Sequence, residues 1–174
     1  MPQQNRLALP SAPAKVQAER RHLWNEARSP GAADFFTIGY TGRRTDELLD
    51  ALVVNGVRTL VDIRYNPISM YRPDLSKSNL GKLVEARGFS YVHLPKLGVP
   101  RDIRVKAIET GSRDAIWEWY DKHVVTPYLL NLHRFFNALE HPVALMCVEI
   151  DPRECHRHRL FVALEEKGLR GFDL

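Results

Sequence analysis

The sequence predicts an α/β fold with a mainly parallel sheet, on three observations. From Phe35 onward, short apolar runs rich in β-branched and aromatic residues alternate with amphipathic helical stretches. They come in the order strand, helix, strand, helix, strand, which parallel crossover units require. A late run, PVALMCVE, is continuously apolar, the pattern of a central strand covered on both faces.

Each element has its own reason. FFTIG is a short first strand, and TDELLDALVVNG follows as an amphipathic helix with Thr45 as its cap and Gly56 as its stop. RTLVDIR is the second strand. SNLGKLVEARG repeats the helical pattern, with Leu80, Leu83 and Val84 on one face and Gly88 at the end, and FSYVHL is the third strand. Between Leu94 and Pro142 a loop, PKLGVPRD, precedes two helical stretches broken near Gly111; Pro127 in the longer one predicts a kink or a division, because proline removes a helical hydrogen bond. ECHRHRLFVALEEKG is the helix after the late strand, and GFDL adds a short final strand.

Residues 1–33 differ from the rest, being rich in Ala, Pro, Gln and Arg. They read as an extension, partly helical or mobile, whose Leu23 and Trp24 dock on the body. Residues 34–174 read as a single α/β domain, since 174 residues suit one continuous core and are short for two.

Composition narrows the function classes. At 44% hydrophobic and 26% charged residues the chain looks like an average soluble protein, and no apolar run reaches the roughly 18–20 residues that cross a bilayer, which argues against a membrane protein. The first residues lack the apolar centre of a secretory signal, so the expected location is cytoplasmic. Cys147 and Cys155 are too few for a disulfide framework and are expected to be reduced thiols. A net charge of +4 is compatible with a nucleic acid or another phosphate-bearing partner.

In parallel α/β sheets ligands sit beyond the carboxyl ends of the strands. That rule selects Gly39 to Gly42, Asp62 to Pro73, His93 to Gly98 and Cys147 to Arg157. Asp62, near a strand end, needs a cationic partner if buried; it either braces a loop with an arginine or orients Arg64 toward a ligand and serves as a base. The long loop after Arg64 contains Ser69, a phosphate donor or a turn cap, and an exposed-looking Arg72. His93 at the end of the third strand suits proton transfer or a structural hydrogen bond.

EIDPRECHRHRL, residues 149–160, carries the densest chemistry. Asp151, Pro152 and Glu154 give a helix start, with the aspartate as cap and proline at the first position. A helix starting at Pro152 sends Cys155, His158 and Arg159 outward. His156 and Arg157 then project over the sheet edge toward Asp62, Arg64 and His93, where the helix start favours an anion. With Cys155 outward, a metal site on Cys155, His156 and His158 is not expected, and neither a metal nor an organic cofactor is predicted. Cys147 and Arg153 have the spacing of a phosphatase loop, but VEIDP between them has no glycine and makes a poor phosphate cradle.

TIGYTGR, VDIRYNPIS, YVHLPKLG and MCVEIDPRECHR together resemble the domain of unknown function 488 family of prokaryotic proteins, over most of the chain from Phe35. The resemblance implies a three-layer α/β/α sandwich with Asp62, Arg64, Cys147, Glu149, Cys155, His156 and Arg157 as signature positions, and no established activity. Val99 stands where many members have a second glycine.

The leading expectation is binding or processing of a phosphate-bearing ligand, nucleotide or nucleic acid. Arg64, Ser69, Arg72 and Arg157 contact the ligand; Asp62, His93, Glu149 and His156 are the catalytic candidates, with Cys155 a weaker one. The alternative is a non-catalytic nucleic-acid or protein module, with Arg153, Arg157, Arg159 and the arginines of the extension as its basic surface or with its polar cluster serving as an internal brace.

Overall fold

The computed structural model describes residues 28–174; most of the expected extension, Leu23 and Trp24 included, lies outside them. The strands are β1 (Phe35–Gly39), β2 (Thr59–Asp62), β3 (Ser90–His93), β4 (Val143–Cys147) and β5 (Gly171–Asp173). They form one sheet in the order β3-β2-β4-β1-β5, and every pairing is parallel.

The pattern within each strand decides which layer it feeds. Phe35, Val61, Val143, Leu145 and Cys147 point to one face, where they meet Leu97, Ala107, Ile116, Tyr120, Leu160 and Phe161. Phe36, Ile38, Leu60, Ala144 and Met146 point to the other, against Leu48, Leu49, Leu52, Leu80 and Val84. The second layer consists of α1 (Thr45–Val54) and α2 (Lys77–Ala86). The first is made by α3 (Arg101–Thr110), α4 (Asp114–Tyr120), α5 (Thr126–Leu130), α6 (Leu132–Phe135) and α7 (Arg157–Glu166). The three-layer α/β/α sandwich is therefore built, and β4 lies at its centre because both of its faces are apolar. No helix among the described residues is long and apolar enough to cross a membrane.

Boundaries differ from expectation in three places. Arg44, not Thr45, precedes α1 as its cap, with its backbone N–H bonded to Glu47 at 2.8 Å. The helical stretch with Pro127 does divide, through a π turn at Asp121–Val125 just before α5 rather than at the proline. The third difference, at Pro152, bears on the site.

Register brings the strand ends together: Gly39 is level with Cys147, and Asp62 with both Met146 and His93. Gly39 is there for space, since a Cβ on it would lie 1.8 Å from the Glu149 carbonyl oxygen. Gly39→Ala must push the loop after β4 off the end of β1. We expect it to lower stability by about 1–3 kcal/mol, the usual cost of overpacking, read as the shift in a urea midpoint; an unchanged midpoint would show that this contact is loose.

Candidate functional site

The segment after β4 departs most from the expected helix. Asp151 does cap, accepting from the Arg153 N–H at 3.0 Å, with Pro152 in the first position. The turn it starts, Pro152–Glu154, is a single 3-10 turn, and Cys155 then returns to extended backbone at φ −127 and ψ 148. Helix α7 starts only at Arg157. That break overturns the predicted directions: Cys155 turns inward and is 3% exposed, like Cys147. Arg159 binds Asp121 through Nε at 2.8 Å. Arg153 folds back on Asp151, so no phosphatase-type loop forms with Cys147.

Arg157 is fully buried, with none of its surface exposed. It was expected to reach a ligand or Asp62. Its guanidinium instead donates to Asp173 from Nη2 at 3.1 Å and from Nε at 3.3 Å, and to the carbonyls of Glu149 and, at 3.0 Å, Ile150. Thr37 adds a hydroxyl to the same Asp173 oxygen at 2.5 Å. Arg157 thus ties α7, β5, β1 and the loop after β4 into one knot, and this geometry gives it a bracing role.

On the face of the sheet that α7 covers, the inward turn brings Cys147, Cys155 and His156 together, with their ligating atoms all within 4.8 Å of one another. Nδ1 of His156 lies 3.8 Å from the Cys147 sulfur and 3.9 Å from that of Cys155. Its Nε2 lies 3.4 Å from the carbonyl of Ile63, and Tyr120 packs on the ring at 5.1 Å between centroids. Tyr120 is itself held by donating to Leu97 O at 2.6 Å. Glu149 shares this environment, with Cys155, His156 and Arg157 close enough to act on its charge.

The electrostatics follow from these positions. Burial pushes the Glu149 carboxyl up to about 7, and the negative charge of Cys155 adds to the rise. Burial also raises the Cys147 thiol, helped by its hydrogen bond to Cys155. For Cys155, burial opposes ionisation, but the Cys147 hydrogen bond and the charges of His156 and Arg157 outweigh it, so this thiol falls well below its usual range. His156 is the counterpart: burial lowers it, and the Cys155 thiolate and Glu149 more than compensate.

Asp62 and Arg64 lie on the opposite face, the side of α1 and α2, not with His156. The pair is two-pronged, Nε to Oδ1 at 2.8 Å and Nη2 to Oδ2 at 2.6 Å, with Asp62 wholly buried and Arg64 5% exposed. Tyr91 donates to Asp62 at 2.6 Å, Leu75 O accepts from Arg64 at 2.8 Å, and Arg64 lies 5.3 Å over the Tyr40 ring. His93 bonds the Arg64 carbonyl at 2.9 Å. Ser69 accepts from the Arg72 N–H at 2.9 Å, the turn-capping role. Arg72 is engaged by Asp74 at 3.1 Å, Thr45 at 2.8 Å and the Arg43 carbonyl at 3.1 Å.

Sequence reasoning overlooked Asp173 and Tyr120 as neighbours of the site; Tyr40 lay in a selected segment without a role. Tyr91 carried a signal, since alternation puts it on the Asp62 side of the sheet. Asp173 carried one only in general form: a buried arginine must have an acid. Nothing local ties Tyr120 to His156, which depends on how α4 docks.

A family model described as Domain of unknown function DUF488 matches residues 44–164. No curated protein and no solved structure gives a match.

Removing one partner of a buried ion pair strands the other charge. Arg157→Met is therefore expected to cost about 3–5 kcal/mol in chemical denaturation, and Arg72→Met, at a half-exposed pair, about 1 kcal/mol or less. Equal small losses would contradict the bracing role.

Proposed function

The chain belongs to the DUF488 family, and we propose that it is an enzyme that processes a phosphate-bearing substrate, a nucleotide or nucleic acid, at the carboxyl edge of its sheet. The observation that carries this reading is the gathering of Cys147, Glu149, Cys155 and His156 at one strand end. The two thiols pack in the core, but a half-buried imidazole and a half-buried carboxyl set against them are costly to bring together. The place is where parallel α/β folds bind ligands. A net charge of +4 favours an anionic substrate.

The arginines take a different part from the one expected of them. Arg64, Arg72 and Arg157 are each matched to a carboxylate, so they frame the site. Glu149 and His156 are the proton-transfer groups in this reading. We place the protein in the cytoplasm, where two unlinked thiols stay reduced.

The same ion pairs favour the competing reading, a non-catalytic nucleic-acid or protein module whose polar cluster is a brace. Turnover separates the two. On a panel of nucleotides and phosphate esters, Glu149→Gln is expected to lower kcat by about 100-fold or more with a melting temperature close to that of the parent. Under the module reading, Arg159→Glu weakens binding of a nucleic acid more than Arg64→Ala does and no panel member is turned over. A panel without turnover and without thermal stabilisation by any member would sink the proposal.

A further inference from the structure

We propose that Cys147, Cys155 and His156 form a binding site for a zinc-class divalent ion, a thiophilic cation held by two sulfurs and one imidazole. The sulfurs and nitrogen that would bind it are already spaced for it. Zinc bonds of about 2.3 Å to sulfur and about 2.0 Å to nitrogen, at tetrahedral angles, separate the donor atoms by about 3.6–3.8 Å. Nδ1 of His156 lies 3.8 Å and 3.9 Å from the two sulfurs, and all three donors fall within 4.8 Å. Closing this set on an ion takes shifts of up to about 1 Å for the widest pair and a turn of the imidazole that aims the Nδ1 lone pair between the sulfurs.

The surroundings of the imidazole are those of a ligand. A metal-bound histidine usually gives its other ring N–H to a carbonyl or carboxylate, which fixes the tautomer and aims the free lone pair. Here Nε2 lies 3.4 Å from the Ile63 carbonyl and 3.7 Å from the Cys147 sulfur, while Nδ1 lies within 3.9 Å of both sulfurs. Tyr120 packs on the ring and is anchored by Leu97 O, which keeps the ring beside the two sulfurs. The sulfurs are equally constrained: Cys147 ends β4 in register with Gly39, and Cys155 is fixed by the turn that Asp151 caps. Two soft thiolates and one imidazole select zinc over magnesium or calcium, which take oxygen ligands.

Three protein ligands leave a fourth position for water or a phosphate oxygen, the open arrangement of catalytic zinc sites. A bound cation also supplies positive charge that the paired arginines do not have free. The site itself stands on donor geometry; its use in catalysis rests on the function proposed above.

The test uses the full chain, stripped with a chelator under reducing conditions and titrated with zinc chloride or cobalt chloride alone. We expect one ion per chain with an affinity tighter than about 1 µM, a rise in melting temperature, a thiolate-to-cobalt charge-transfer band, and zinc protection of both cysteines from a thiol reagent. Cys155→Ser and His156→Asn are expected to weaken binding by about 100-fold or more. If either variant fails to fold, thiol protection in the parent chain still decides. Thiols that stay reactive in excess zinc, or a cobalt complex without the sulfur band, would overturn the site. Zinc binding without turnover of any phosphate ester would support the site and count against the proposed function alone. Turnover undiminished in the stripped chain would overturn the metal's catalytic use.

Discussion

A guanidinium with no exposed surface must find all its partners inside the protein, and Arg157 does. That requirement organises the carboxyl edge of the sheet. By drawing in the Glu149 and Ile150 carbonyls, Arg157 holds the chain after β4 across the end of β1, where only the absence of a side chain at Gly39 leaves room. With that loop held in place, the chain turns sharply at Pro152–Glu154 and Cys155 swings inward onto Cys147. Asp173, from β5, completes the knot and makes the site depend on that edge strand.

The edge divides its chemistry between the two faces of the sheet. Toward α1 and α2, hard charges neutralise one another: Asp62 with Arg64, and Arg72 with Asp74, supported by Tyr91 and Thr45. Toward α4 and α7 lie two soft thiols, the His156 imidazole and Glu149, whose carboxyl burial pushes up to about 7. An ion pair that is internally satisfied has little left to offer a ligand, and it stabilises chiefly by preventing an uncompensated charge. The proposed reactivity belongs to the second group.

Much of the fold was legible in the sequence. Alternation in β2, the apolar runs of β1 and β4 and the glycine stops of the first two helices are local signals, and local signals survive folding. The site was legible by residue type but not by direction. Asp151-Pro152-Arg153-Glu154 carries the signals of a helix start, and the chain uses it for one 3-10 turn, with α7 beginning at the buried Arg157. That shift of five residues reversed Cys155 from outside to inside and set it beside Cys147 and His156, a different group from the Cys155, His156 and His158 considered from the sequence. The Asp62–Arg64 pair was foreseen as a brace, since both residues lie on one strand end. The Arg157–Asp173 pair was not, since it joins elements separated by a helix.

The most direct measurement is X-ray absorption at the zinc edge of the reconstituted full chain. Two sulfurs at about 2.3 Å and one imidazole nitrogen at about 2.0 Å, with one light atom completing the shell, is the predicted result. A shell of nitrogen and oxygen alone would show that Cys147 and Cys155 do not converge on an ion and would contradict the centre described at this strand end.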